Sequence, residues 1–349
     1  KHEALLDSVR WSLDDFMRWV SSDQARTRYK FLLEQYEVST TNIPKSTQQM
    51  IYYPTNKIRV PVNKENVLKS GVVKPEDADL IVDYIDIDLP TSGLYKNRLM
   101  MLDILHNNDW ERPIYFTGGS YDDSEYFWMK DYLQLDGLVY KLVPIKTPID
   151  PNNPYQMGRI DTDVMYDIVM KWDWGNSDSP DIYHDPETRK NSISFRSNIT
   201  RLAKTLIDEG QKEKAITVLD LAMEKMPIES FGYYSLVVPI AAAYYRAGAL
   251  DKAQKIVTII ASGYEEYMRY YAQWNRDEQL MLMEDIVGNV ERYKSLLTEI
   301  VEAKDHKSMT ALYDSFFESI IPFSYIYGEY DFYTELTPFV AALYDSDQV

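Results

Sequence analysis

The chain has 349 residues, a formal net charge of −18 at pH 7 and no cysteine. This length is enough for two domains with separate cores, and the hydrophobic content of 45% and charged content of 26% are those of a folded protein. The negative charge argues against nucleic acid or an anionic membrane surface as a partner bound through general electrostatics. The lack of cysteine excludes disulfides, thiolate nucleophiles and cysteine-ligated metals, but it does not decide the compartment.

The first residues predict a helix rather than a targeting segment. No signal peptide is visible, and no apolar run reaches the roughly 18 residues of a membrane span. The longest run, residues 236–245, is shorter and contains Pro239. An apolar stripe at helical spacing predicts an amphipathic helix at the start of the chain, and it consists of Leu6, Val9, Leu13, Phe16, Met17 and Val20.

Helix and strand patterns alternate over the next part of the chain. They predict, in order, a helix at residues 24–36, a polar loop at 39–47, and strands at 50–53 and 57–60 with a turn between them. Polar and apolar residues then alternate from residue 84 to residue 89. This alternation predicts a strand with one buried face.

The segment from residue 96 to residue 146 predicts a helix, a short strand, a glycine turn and a second strand. Apolar residues surround the helix on most sides, which predicts that it is buried; they are Leu99, Met100, Leu102, Ile104 and Leu105. Pro113 precedes a predicted strand at residues 114–116, and proline is tolerated there because the start of a strand does not need a backbone N–H for sheet hydrogen bonds. Gly118-Gly119 supply the turn. The mixed order predicts an α+β or irregular α/β unit whose earlier strands lie upstream of Lys1.

The same segment carries a resemblance to a known family. It begins KNRLMMLDILHNNDWERPIYFTGGS and ends KDYLQLDGLVYKLVPIK, and it is preceded by Ile58-Arg59-Val60-Pro61-Val62 and by the run from Glu76 to Val82. In its residues as well as its pattern, it resembles a large multi-spanning membrane protein family of Bacteroidetes, described as a domain of unknown function. That family is regarded as related to protein O-mannosyltransferases. The resemblance covers most of residues 1–170, and the helical remainder is similar to the family's carboxy-terminal part.

The resemblance implies that this chain is the soluble, extracytoplasmic end of such a membrane protein. It would lie at the periplasmic face of the inner membrane, with the membrane spans upstream of Lys1. In related membrane glycosyltransferases the catalytic acid lies in a loop between spans. The resemblance therefore implies a region without that acid, and it assigns no catalytic residue here.

The rest of the chain is predicted to be helical after a connecting segment. Residues 147–191 are rich in Pro, Asn, Asp and Ser, which predicts a linker or long ordered loop with one helix at residues 161–172. The predicted division is a mixed α/β domain at 1–150, a linker at 151–192 and a helical domain at 193–349. The predicted fold class is therefore α+β.

The helical part contains an internal repeat with tetratricopeptide spacing. Small and apolar residues recur at matching positions, first Ile199, Leu202, Ala203, Leu206, Gly210, Ala215, Leu219, Ala222 and Pro227, then Val237, Ile240, Ala241, Tyr244, Gly248, Ala253, Val257 and Ile260. Each copy has a glycine in the turn between its helices. The repeat predicts two helical hairpins, and residues 264–345 predict a third, divergent pair with a capping helix.

Metal and nucleotide sites are not favoured by the sequence. The four histidines, His2, His106, His184 and His306, lack the clustering of a zinc site. Gly118-Gly119-Ser120 has neither dinucleotide-binding nor P-loop spacing, so a turn is the better interpretation. Five aspartates between residues 77 and 88 would suit a hard cation such as calcium, but a solvated strand face also explains them. We expect no metal and no cofactor.

Two segments combine acidic and aromatic residues in a way that suits sugar binding. One spans residues 121–128 after a strand end, where ligand sites gather in α/β units; the other spans residues 172–185. Aromatic faces can stack on a sugar ring, while carboxylates accept its hydroxyl protons. Solvated connectors with buried aromatic anchors have the same composition. The candidate ligand-binding residues are Tyr115, Asp122, Asp123, Trp128, Trp172 and Trp174.

Three functions are consistent with these observations. The first is a non-catalytic region of a glycosyltransferase-like membrane protein that binds a protein or glycan acceptor, or partner proteins, through the concave helical face. The second is a tetratricopeptide-type interaction scaffold unrelated to sugar chemistry. The third is a soluble carbohydrate-active enzyme that uses two carboxylates.

Overall fold

A computed structural model describes residues 9–22, 55–90, 94–117, 127–149, 156–327 and 329–346. The chain divides into two compact units, residues 1–161 and residues 162–349. The first unit has small sheets with helices, and the second is mostly helical. The predicted α+β class is confirmed, and the three-part division stays a prediction.

The first sheet of unit one has the strand order β1-β2-β3. Its strands are β1 (Trp11–Ser12), β2 (Lys57–Pro61) and β3 (Tyr84–Asp88), with β1 parallel and β3 antiparallel to β2. The strands predicted at residues 57–60 and 84–89 are thus confirmed. Ile85 and Ile87 are buried, as the alternation predicted.

The opposite face of this sheet carries ion pairs. Arg59 Nε donates to Asp86 Oδ1 at 2.8 Å, and Arg10 Nη2 lies 2.9 Å from Asp88 Oδ1. The hydrogen bond from Arg59 lowers the pKa of Asp86. Basic side chains therefore neutralise the two strand aspartates, and the described parts of the chain contain no cluster of three or more His, Asp or Glu suited to a metal ion.

The amino-terminal helix is shorter than its apolar stripe predicted. Helix α1 (Leu13–Ser21) begins after Ser12, whose Oγ accepts from the backbone N–H of Asp15. Val9 lies before β1, is 62% exposed and is not helical, so the predicted start was wrong. Pairing of β1 with β2 and the Ser12 cap fix the helix start. Leu6 and the elements predicted at residues 24–36, 39–47 and 50–53 lie outside the described residues.

The remainder of unit one follows in chain order. Its elements are α2 (Lys64–Lys69), a 3₁₀ turn (Pro75–Leu80), α3 (Lys96–Asn108), β4 (Tyr115–Thr117), a second 3₁₀ turn (Phe127–Tyr132), β5 (Leu133–Asp136) and β6 (Val139–Leu142). The second sheet is antiparallel, with the order β4-β6-β5. The predicted strand after residues 118–119, which lie outside the described residues, is in fact the hairpin β5-β6.

Helix α3 is not buried on most sides, and that prediction was wrong. Leu102 and Leu105 are buried, but Met100 is 59% and Ile104 is 54% exposed. Successive residues of a helix are rotated by about 100°, so one packed face cannot cover all five apolar positions. The apolar content of α3 therefore exceeds what its packing buries.

Unit two consists of helices, which are joined by short connections except for the longer segment of residues 170–185. They are α4 (Thr162–Val169), α5 (Pro186–Asp208), α6 (Lys212–Lys225), α7 (Ile228–Phe231), α8 (Val238–Ala247), α9 (Leu250–Tyr271), α10 (Arg276–Met281), α11 (Met283–Glu302), α12 (His306–Ile320), α13 (Ser324–Tyr327) and α14 (Glu329–Ser346), with 3₁₀ turns at Tyr234–Leu236 and Ile321–Phe323. Helix α4 corresponds to the helix predicted at residues 161–172.

The helical hairpins predicted from the repeat are confirmed. Helices α5 and α6 pack together, as do α8 and α9, and α11 and α12 form the third pair. Helix α14 packs on α11 and α12, as a capping helix does. The apolar helix positions of both repeats are buried, and the inter-helix glycines Gly210 and Gly248 have φ of +79° and +85°, where a side chain would be strained.

Candidate functional site

A solvent-open groove in unit two combines tyrosine rings with two arginines. About 1020 Å³ of empty space, open solvent included, lies within it. The start of α5, the segment between α7 and α8, the second half of α9 and the middle of α11 contribute its walls. We call it the tyrosine groove, defined by Arg189, Tyr234, Tyr264, Tyr267, Asn289 and Arg292.

The segment between α7 and α8 is held by a buried arginine. Arg196 on α5 is fully buried, and its Nη1 and Nη2 donate to the carbonyls of Gly232 at 2.6 Å and Met226 at 2.7 Å. Burial lowers the pKa of Arg196 to about 10, so the guanidinium stays charged at neutral pH. Gly232 and Tyr233 both have positive φ, 65° and 54°. The arginine thus fixes a backbone turn that would otherwise be unfavourable.

A glycine in the middle of α9 allows the tyrosines to pack closely. A Cβ at Gly263 would lie 2.8 Å from Cζ of Tyr234, so only glycine lets this ring rest against the helix. Tyr234 in turn packs edge-on against Tyr264 and Tyr267, at centroid distances of 6.0 and 6.4 Å. The wall of the groove is therefore a packed set of rings whose position depends on Gly263.

One tyrosine hydroxyl in the groove is buried without a hydrogen-bond partner. Tyr264 is 1% exposed, and its Oη has no partner among the described residues. Burial raises the pKa of Tyr264 to about 12, although the charge of Arg292 acts in the opposite direction. The neighbouring Tyr293, also buried, instead donates its hydroxyl proton to Glu265 at 2.8 Å. Buried polar atoms are nearly always paired, so the Tyr264 hydroxyl marks an unusual position.

The two groove arginines lack carboxylate partners in the described part of the chain. No Asp or Glu oxygen there lies within 4.0 Å of either guanidinium. Arg189 Nε donates to the carbonyl of His184 at 2.8 Å, while Arg292 is exposed and lies over Gly288, one helical turn earlier. In a chain with 55 acidic residues, these guanidinium groups are available to an anion.

Acidic residues act on two of the tyrosines at the groove. Burial raises the pKa of Tyr234, and the charges of Glu266 and Glu229 raise it further. Burial also raises the pKa of Tyr271, whose hydroxyl lies 3.3 Å from the Asn289 side-chain nitrogen, and the charge of Asp285 adds to this effect. Positive and negative side chains therefore both act on the tyrosines around this groove.

The two tryptophans predicted as a sugar surface pack against each other and against α5. Trp172 and Trp174 have ring centroids 5.5 Å apart, and both contact Phe195, at 5.1 and 5.2 Å. These contacts cover part of each ring, as the interpretation of a connector with aromatic anchors requires. The structure brings the two residues together outside the tyrosine groove, and their sugar-binding role stays a prediction.

The other predicted residues belong to unit one. Tyr115 is 50% exposed on β4, opposite Lys141 in the sheet register. Lys141 Nζ lies 3.2 Å from Asp136 Oδ2, both side chains almost fully buried, and burial together with Asp136 raises the pKa of Tyr115. Trp128 is half-buried in the 3₁₀ turn that precedes β5, and Asp122 and Asp123 lie outside the described residues. Tyr115 thus lies beside a buried ion pair that the sequence did not reveal.

Sequence reasoning did not predict the tyrosine groove. Tyr264 continues the buried stripe of α9 four residues after Ile260, so its spacing indicates a core residue. Gly263 was the available signal, because a glycine inside a long helix indicates close approach of another group. The arginines come from α5 and α11, which are far apart in sequence.

Comparison with known proteins bears on unit one. Residues 2–164 match the family model of TMEM260-associated domain 2. TMEM260 is a multi-span membrane protein related to glycosyltransferases, so the match supports the broad part of the resemblance that the sequence suggested. No curated protein and no solved structure gives a significant match.

Within the ranges that the structure describes, no helix is long and apolar enough to cross a membrane. The link to a membrane protein therefore rests on the family match over residues 2–164.

Proposed function

We propose that this chain is a non-catalytic, extracytoplasmic recognition region of a glycosyltransferase-like membrane protein, and that its tyrosine groove binds the acceptor polypeptide. The match of residues 2–164 to TMEM260-associated domain 2 supports the link to a membrane glycosyltransferase. The observation that carries the binding role is the groove itself, where one buried hydroxyl and two arginines have no partner of opposite character among the residues that the structure describes: no acceptor for the hydroxyl and no carboxylate for the arginines. Stacked helical hairpins commonly present such extended binding surfaces.

In this proposal, catalysis and membrane attachment belong to other parts of the parent protein. In related membrane glycosyltransferases the catalytic acid lies in a loop between membrane spans, and we assign that loop and the spans to the rest of the parent protein. The parent protein lies in the inner membrane, with this region on its periplasmic face. The chain then serves to hold an acceptor near the membrane rather than to transfer sugar.

Two measurements on the 349-residue chain test the proposal. The first is sugar transfer from a lipid-linked donor to a peptide array, for which we expect no turnover. The second is photo-crosslinking of the same peptides from a photoreactive residue at Ser235, which is exposed in the groove wall, against one at Thr217, which is exposed on α6. We expect crosslinks from position 235 only. Robust turnover, or equal crosslinking at both positions, would overturn the proposal.

A second candidate is an interaction scaffold with no role in sugar chemistry. The three packed hairpins favour it, since helical repeats of this kind bind proteins in many contexts. Recovery of a stable partner protein with no signal on a glycan array, and no association with a membrane glycosyltransferase, would favour this candidate over the first.

A further inference from the structure

We infer that the tyrosine groove contains a carboxylate subsite, formed by Arg292 and the Tyr264 hydroxyl, that selects extended peptides bearing an acidic side chain. This inference rests on the proposed function and names the chemistry of its ligand. The site lies on α9 and α11, within unit two.

Two side chains at this point of the groove offer hydrogen-bond donors. A guanidinium has only donors, and the Tyr264 hydroxyl has its proton unused in the described structure. The side-chain nitrogen of Asn289 is already engaged, with the Tyr271 hydroxyl at 3.3 Å and the carbonyl of Asp285 at 2.9 Å. Two free donors select an acceptor, and the charge of Arg292 selects a negatively charged one.

Access to the buried hydroxyl requires one side chain to move. Tyr264 is 1% exposed, whereas Arg292 is on the surface, and both residues line the tyrosine groove, where the charge of Arg292 acts on the hydroxyl. A rotation of the long arginine side chain toward the solvent lets a carboxylate lie between the two groups. Exposed arginine rotamers interconvert rapidly, so this movement is not a barrier to binding.

The remaining charges limit where a carboxylate can bind. Glu229 and Glu266 act on Tyr234 in the groove wall, and their charge weakens the binding of an anion beside that residue. Asp285 lies near Tyr271. Arg189 is a second guanidinium without a carboxylate, near the start of α5. The positive charge that attracts an anion to the groove comes from Arg189 and Arg292, so a carboxylate binds best next to a guanidinium.

The shape of the groove favours a peptide over a small anion or an acidic sugar. The groove is open to solvent, and the roughly 1020 Å³ of space along it includes that open part, so a lone anion fills little of it. Sugar stacking needs free ring faces, but the edge-on contacts of Tyr234 with Tyr264 and Tyr267 cover some of them. An extended chain can follow the groove and present one carboxylate to Arg292.

Matched peptide pairs test the inference. Fluorescence anisotropy is measured with the 349-residue chain and fluorescent nonapeptides that differ only by Glu or Gln at the central position. We expect the Glu peptides to bind at least about tenfold more tightly, as is usual for charge-assisted hydrogen bonds. Arg292→Gln should remove this preference, and Tyr264→Phe should reduce it while leaving the protein folded.

Arg246→Gln is the matched control, because it makes the same charge change at an exposed arginine that pairs with Asp208 outside the groove. It should change affinity by no more than about twofold, the size of a surface charge effect. A third outcome is that the Glu and Gln peptides bind with equal affinity and that Tyr234→Ala abolishes the binding of both. This result would overturn the carboxylate subsite and leave the proposed function standing. Binding of no peptide would overturn both. Binding of oligogalacturonate but no peptide would show that the carboxylate comes from a sugar, against the inference.

Discussion

At the scale of single residues, two buried tyrosines on facing helices have different roles. Tyr264→Phe removes a hydroxyl without a partner, so we expect the free energy of unfolding to stay unchanged or to rise by up to about 1 kcal/mol. Tyr293→Phe should lower the free energy of unfolding by about 1 kcal/mol, because Glu265 loses the hydrogen bond from the Tyr293 hydroxyl. Glu265 keeps the hydrogen bond from the Ser315 hydroxyl at 2.6 Å. Urea unfolding at neutral pH measures both. A clear loss of stability in Tyr264→Phe would mean that its hydroxyl is bonded in the folded protein.

Arg196 is the residue on which the groove wall depends most. Arg196→Met removes two charge-assisted hydrogen bonds and leaves the carbonyls of Met226 and Gly232 without these donors. We expect a loss of at least about 3 kcal/mol in unfolding free energy. Arg196→Lys keeps the charge but has no fork to reach both carbonyls, so it should recover only part of the loss. Full recovery by lysine would contradict this role of the paired bonds.

At the scale of elements, the β5-β6 hairpin contains an ion pair in the core of unit one. Lys141 and Asp136 are 3.2 Å apart, and Gln134 also donates to Asp136 at 2.9 Å. Asp136→Asn leaves a buried ammonium without a counter-charge, and we expect a cost of about 3–5 kcal/mol. The double variant Asp136→Leu with Lys141→Met should be clearly more stable than the single one. Thermal unfolding compares them, and an additive loss would refute the coupling.

The close packing of the hairpins depends on small side chains. Ala241 on α8 is fully buried, and α8 packs against α5, α6, α9 and α11. Ala241→Leu should therefore cost about 1–3 kcal/mol by overpacking. Ala242→Leu, at the next and less buried position of the same helix, is the control and should cost much less. Equal effects, measured by urea unfolding, would show that helix propensity rather than packing is responsible.

At the scale of the whole molecule, buried tyrosines make stability sensitive to alkaline pH. Burial raises the pKa of Tyr264 to about 12, and it also raises the pKa of Tyr244, Tyr245 and Tyr293. An unfolded tyrosine ionises near pH 10, so the folded state keeps protons that the unfolded state loses. The contribution of these groups is complete below about pH 10 and falls as pH rises toward the folded pKa.

The predicted loss of stability at alkaline pH can be measured directly. The urea midpoint should be similar at about pH 7 and about pH 9, and clearly lower at about pH 11. Exposed tyrosines ionise first, near pH 10, and the absorbance of the buried tyrosines should follow as a second step that coincides with unfolding. Complete ionisation of all tyrosines before unfolding would indicate that the buried ones titrate in the folded protein.

Local patterns determined much of this protein from its sequence alone. The repeated small and apolar residues predicted the hairpins, because a helix with one packed face needs that period, and Gly210 and Gly248 marked their turns by the backbone conformation they allow. The alternation of polar and apolar residues around Ile85 predicted a strand, because successive side chains of a strand point to opposite faces of the sheet. The resemblance in residues 96–146 indicated a multi-spanning, glycosyltransferase-related family, which the match over residues 2–164 supports at that level.

Only the tertiary structure decided which apolar residues are buried and where charges meet. Ile104 lies on a helix that its composition marked as core, yet no neighbouring element covers it. The tyrosine groove combines Arg189, Tyr264 and Arg292 from three helices, and about 100 residues of sequence separate the two arginines. The Asp136–Lys141 pair forms only because the strands of the β5-β6 hairpin pair in one register. Periodicity is a property of neighbours in sequence, whereas burial and pairing depend on residues brought together by long-range packing.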